Sequence, residues 1–159
     1  MFRELVRIKQ RMPKEACIEL LKKETRGVLC VLGDDDYPYG APINHFYDEE
    51  SGKIYFHVGT QRSHRNDSIK KHNKVSLAVY NQGYKNEGEW FYNVESVIVF
   101  GKIAIVEDKD TVVDITTKLC HKFNVTQEYI DDEITNHLHR TILLELTPEH
   151  ISGKYVKES

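Results

Sequence analysis

Two short stretches of this 159-residue chain carry residue types that could do chemistry. In the first, Tyr37-Pro38-Tyr39-Gly40-Ala41-Pro42-Ile43-Asn44, prolines withdraw donors from a strand and glycine bares its backbone, leaving room for another group to approach the main chain closely. An edge strand guarded by proline against aggregation accounts for the same residues. In the second, His57 is followed by Ser63-His64-Arg65 at an expected helix start. Free helical N–H groups, a hydroxyl and a guanidinium gathered there make an anion cradle that suits a phosphate. A capped, solvated helix end is the plainer alternative.

The remaining candidates are weaker. The sequence has no Walker A loop, no GxGxxG after a strand, no GxSxG elbow and no HExxH. His137-Leu138-His139 would place two imidazoles on one face of a strand, but neither a CxxC nor a carboxylate at ligand spacing accompanies them, so no metal is expected. Cys17, Cys30 and Cys120 are odd in number and lack metal-knuckle spacing, which fits reduced structural thiols. Asp34-Asp35-Asp36 reads as a turn. His57 and His64 titrate in the range useful for proton supply, and no spacing selects either.

The elements that must position these residues follow from composition and periodicity. Lys and Arg number 22 against 25 Asp and Glu, a net charge of -3, which argues against a general nucleic-acid binder. At 40% hydrophobic and 30% charged residues the composition is that of a soluble globular protein, and the length suits one domain over 1–159. No apolar run approaches the roughly 18 residues of a membrane span. The first residues, Met1-Phe2-Arg3-Glu4-Leu5-Val6-Arg7, lack a signal-peptide core, so a cytoplasmic location is expected.

Pro13 at a first helical position opens an amphipathic helix over 14–23 with Cys17, Leu20 and Leu21 on one face. Strands are expected at Arg26 to Leu32, Tyr37 to Tyr47, Lys53 to Val58, Val75 to Tyr80, Val94 to Val106 and Thr141 to Thr147, the last stopped by Pro148. A short polar helix begins at Ser63, a second helix is capped by Asp108 and carries Val112, Ile115, Leu119 and Phe123 as its apolar stripe, and a helical piece runs from Gln127 to Leu138. The class is mainly β (α+β): a six-stranded antiparallel sheet or barrel with peripheral helices.

The order of a Gly-x-Pro strand, Ile54-Tyr55-Phe56-His57, Ser63-His64-Arg65 with Ile69 one turn on, Lys74-Val75-Ser76-Leu77 and Ser96-Val97-Ile98-Val99-Phe100-Gly101-Lys102 resembles the pyridoxamine 5'-phosphate oxidase-like flavoproteins, in particular the nitroimidazole-resistance branch. The resemblance covers residues from about 12 to 155. It implies a split β-barrel that binds FMN at a homodimer interface. On that resemblance the backbone of Ala41, Pro42, Ile43 and Asn44 lies along the flavin ring edge, and His57 and Val58 flank the cofactor. Ser63, His64 and Arg65 hold the phosphate, and Tyr92 and Ser96 reach the flavin from the partner subunit. Branch members often carry Gly-His-Lys where this chain has Ser63-His64-Arg65; the change keeps a cation and adds a hydroxyl, at the expense of glycine's backbone freedom.

The resemblance implies an FMN-dependent oxidoreductase that takes electrons from a nicotinamide donor and reduces a small acceptor such as a nitroaromatic. An alternative within the same barrel is a protein that binds or senses flavin or haem without turnover. Pyridoxamine phosphate oxidation fits less well, because the C-terminal tryptophan and arginine pattern for that substrate is missing and the one tryptophan is Trp90. A third alternative is a partner-binding barrel that presents Trp90, Phe91 and Tyr92 as an interface.

Overall fold

Strict alternation of inward and outward side chains builds one antiparallel sheet in the computed structural model, which describes residues 1–158. Its strands are β1 (Arg26–Leu32), β2 (Pro38–Asn44), β3 (Phe46–Asp48), β4 (Lys53–Gly59), β5 (Lys74–Tyr80), β6 (Tyr92–Ile105) and β7 (Thr141–Glu158). They lie in the order β2-β1-β5-β6-β7-β4-β3. Leu29, Val31, Phe56, Leu77, Val79, Val97, Val99 and Leu146 point to one side and form the buried core.

The sheet has seven strands rather than the expected six because the stretch from Tyr37 to Tyr47 is not continuous. It breaks at His45, whose N–H donates to Thr25 O at 3.1 Å instead of to a sheet neighbour, while its ring Nε2 bonds Leu21 O at 2.9 Å. The chain turns there from one end of the sheet to the other: β2 pairs with β1, and β3 pairs with β4. The two ends are thus joined through the chain and not through a ladder, which makes the barrel split.

Pro148 does not stop the last strand. β7 runs on to Glu158, and the register against β6 slips by one residue where Gly101 faces Pro148 and Phe100 faces His150. A bulge of this kind needs no donor from proline, so the ring is tolerated inside a long strand. Gly101 completes the fit, since a Cβ on it would stand 2.2 Å from Thr147 O.

Helices close the barrel. Pro13 is the N-cap, one residue earlier than expected, of α1 (Lys14–Lys23); Cys17, Leu20 and Leu21 on its buried face fill one end of the core. The short α2 (His64–Lys71) is capped by Ser63, which accepts from Asn66 N at 3.2 Å. Across the outside of β4 lies α3 (Lys109–Lys122), capped by Asp108, with Ile115 packed against Tyr55 and Leu143. Lys122, at its end, donates to Glu24 O at 2.7 Å, His45 O at 3.0 Å and Leu21 O at 3.4 Å. One ammonium therefore caps the free carbonyls of α1 and fixes the His45 corner. The helical piece after α4 (Gln127–Asp132) continues as a π turn over Glu133–His137 and a 3-10 turn over Leu138–Arg140, so His137 and His139 sit on helical turns and not on a strand. Among the described residues no helix is long and apolar enough to cross a membrane.

Candidate functional site

The free edge of β2 is set by its prolines. Pro42 has no N–H for the ladder, so its backbone edge faces away from β1, and the edges of Gly40 and Asn44, two residues to either side, face the same way. β2 is the end of the sheet, which leaves those amide and carbonyl groups without a strand partner. The side chains of Ala41 and Ile43 turn into the interior and are buried, as is Val58 on β4. These three can therefore offer a ligand only their main chain.

Ser63 and Arg65 sit at the N-terminus of α2, where the first-turn amides point out of the helix. Arg65 is half-buried, and its Nε donates to Asn66 Oδ1 at 3.2 Å. Burial presses its guanidinium below the ordinary arginine range, with only the nearby Tyr39 opposing. Among the described residues no carboxylate reaches it within ion-pairing distance. A partly desolvated cation without a counter-charge, beside a helix N-terminus, is an electrostatic vacancy for an anion. His64 is committed elsewhere: its Nε2 accepts from Asp34 N at 3.2 Å, and its ring lies 4.3 Å from that of Tyr39. It braces the turn between β1 and β2 while Lys71 pairs with Asp34 at 3.1 Å.

His57 points outward from β4, on the face shared with Tyr55 and covered by helices. Its Nε2 is buried without a hydrogen-bond partner and lies 3.9 Å from Glu133 Oε1. Burial lowers its pKa, and the Glu133 carboxylate works against that shift. His57, Asn44, Glu133 and Cys120 line one cleft of about 190 Å³. Burial raises the Cys120 thiol, and Glu133 adds to the effect, so this cysteine stays protonated. Leu119, Phe123, Val125 and Tyr129 supply the cleft's apolar wall.

The structure thus brings Asn44 and His57 together and places Ser63 and Arg65 in a common cradle. Tyr92 and Ser96 lie apart, with Tyr92 paired to Glu158 and Ser96 to Tyr80 and Lys154. Sequence reasoning missed Glu133, because nothing local to a polar helical stretch shows that a π turn aims one carboxylate at β4. The wall was half visible, since Leu119 and Phe123 belong to the apolar stripe of α3.

A split antiparallel barrel with an anion cradle at α2 and a free edge on β2 defines the class. The sequence matches the family described as pyridoxamine 5'-phosphate oxidase over residues 13–155, and the chain belongs to that family. No curated protein matches it. Among solved structures it is similar to a candidate 5-nitroimidazole antibiotic resistance protein from Bacteroides thetaiotaomicron, with TM-score 0.77 and 14% identity over 93% of this chain and 87% of the other. It is also similar to an FAD and heme binding protein from Mycobacterium smegmatis, with TM-score 0.73 and 17% identity over 95% of this chain and 74% of the other. A putatively uncharacterised likeness is not needed for the fold: the flavocytochrome Anf3 from Azotobacter vinelandii also matches, with TM-score 0.70 and 12% identity over 96% of this chain and 72% of that one. At these identities the likeness speaks for the fold.

Proposed function

We propose that this protein is an FMN-binding oxidoreductase that acts as a homodimer. The observation that carries the reading is Arg65, a half-buried guanidinium without a carboxylate partner at the open end of α2. A terminal phosphate answers that vacancy, with Ser63 and the first-turn amides completing its shell. The residues fit a flavin in other respects. The free backbone edge of Gly40, Pro42 and Asn44 offers the alternating donors and acceptors that a heterocyclic edge requires, and His57 stands beside Asn44. Membership of the pyridoxamine 5'-phosphate oxidase family supports the same reading, as do neighbours named for FAD binding.

When bound, the flavin supplies electron transfer between a nicotinamide donor and a small acceptor such as a nitroaromatic, while the protein binds and orients it. The likeness to a candidate nitroimidazole resistance protein supports that class of acceptor. A binding or sensing protein that holds flavin or haem without turnover is the second reading, favoured by the likeness to an FAD and heme binding protein.

The test is an absorption spectrum of the purified protein after addition of FMN and gel filtration, followed by anaerobic NAD(P)H. Flavin bands that are retained and bleach with the nicotinamide are the expected result. Retained bands that do not bleach would select the second reading, and loss of the flavin on the column would overturn both flavin assignments.

A further inference from the structure

The cleft between β4 and the α3–α4 region has features that the flavin reading does not use. Its polar end consists of two groups that face each other without bonding: His57 Nε2, buried and unpartnered, and Glu133 Oε1, 3.9 Å away. That separation is too long for a direct hydrogen bond. It does suit one oxygen lying about 2.8 Å from each atom, accepting from the imidazole N–H and donating to the carboxylate. Such an oxygen must accept and donate at once, which is the property of a hydroxyl and not of a carbonyl, nitro or ether group. Water meets the same requirement, so the walls must decide whether an organic hydroxyl is preferred.

The walls are apolar. Leu119, Phe123 and Val125 line the cleft, and Tyr129, 53% exposed, stands at its side. The cleft holds about 190 Å³, while a cavity of about 150 Å³ lined by aliphatic and aromatic groups accommodates benzene. One six-membered ring fits; the three fused rings of a flavin do not. The other titratable group on the lining, Cys120, is a protonated thiol held up by burial, so the only formal charge at the polar end is that of Glu133. A phenolate or benzoate would be repelled by it.

We propose that this cleft is a binding subsite for a neutral, hydroxylated single-ring aromatic molecule, its hydroxyl bridging His57 and Glu133 and its ring packed against Leu119, Phe123 and Val125. The subsite rests on the geometry of the cleft and holds whether or not FMN is the cofactor.

The experiment uses the full chain and two probes of nearly equal size, phenol and toluene, titrated near pH 7 by isothermal calorimetry, with amide shift mapping of the wild-type protein. Phenol is expected to bind saturably and about 10-fold more tightly than toluene, and to shift amides at His57, Leu119 and Glu133. His57→Phe and Glu133→Met are each expected to reduce phenol affinity to that of toluene and to leave toluene unchanged. Val125→Trp, a substitution at a half-buried loop position, is expected to fill the cleft and abolish both. The assignment is overturned by equal affinity for the two probes, by phenol binding insensitive to His57→Phe in a folded variant, by shifts that map elsewhere, or by no saturable binding of phenol. Shift mapping needs no variant, so the outcome is decided even if a substitution prevents folding.

Discussion

Arg65 shows how one side chain can define a site by what it lacks. The surface cations near it are paired: Arg62 holds Asp67 at 2.8 Å and Lys71 holds Asp34 at 3.1 Å. Arg65 is more deeply placed, carries a cost for its burial, and has only an amide oxygen for company. A charge-assisted bond to phosphate contributes about 1.5 to 3 kcal/mol, so Arg65→Ala should weaken FMN binding by roughly 10- to 100-fold. Quenching of flavin fluorescence on titration measures this, and an unchanged affinity would remove Arg65 from the site. The residue was legible from sequence, because a serine cap followed by a cation at a helix start has a physical meaning by itself. His64 was legible only as a neighbour of that start; its commitment to Asp34 and Tyr39 depends on how β1 and β2 fold back beneath α2. Glu133 was not legible, because its role exists only across the cleft from His57.

Among the elements, the strands and helices announced themselves by periodicity, and the exceptions share a cause. Pro148 and His45 each sit where the sheet departs from a regular ladder, and a one-dimensional pattern carries no record of a bulge or a corner made by pairing with distant chain. The His45 corner has a pH dependence of its own. Burial lowers its pKa from 6.5 to about 4, with the Lys122 ammonium adding to the shift. The folded state thus resists protonation that the unfolded chain accepts near pH 6.5. The stability due to neutral His45 is fully present above that pH and is lost progressively as pH falls toward 4. The loss amounts to about 3 kcal/mol over that window, and His57, also lowered by burial, acts in the same direction. Urea unfolding at pH 7, 5.5 and 4 should show the decline, and a His45→Leu variant should show a shallower one. Equal slopes in the two proteins would assign the acid sensitivity to other groups.

For the whole molecule, the informative surface is the outside of the sheet. Adjacent strands place Pro42, Val28, Ala78, Ile98 and Ser152 in one row, and Gly40, Cys30, Ser76, Phe100 and His150 in the next. The side chains of Val28, Cys30, Ala78 and Ile98 are only half-buried, and the core-filling α1 and the outer α3 pack elsewhere, on the interior and on β4. A flat row of small and apolar side chains is poorly suited to water and well suited to a second copy of itself. Pro42 lies in this row on the strand whose free edge belongs to the proposed flavin site, so docking a partner here would also bring new groups to the cofactor. That couples assembly to binding: Ile98→Asp should shift the protein from dimer to monomer in sedimentation at micromolar concentration and lower FMN affinity at least 10-fold, because the half-site left behind lacks the partner's contribution. Circular dichroism should remain that of the folded barrel, since Ile98 points away from the core. A wild-type protein that sediments at 18.6 kDa, or a monomeric variant that binds FMN as tightly as the dimer, would separate the flavin site from assembly and leave the outer sheet face without this role.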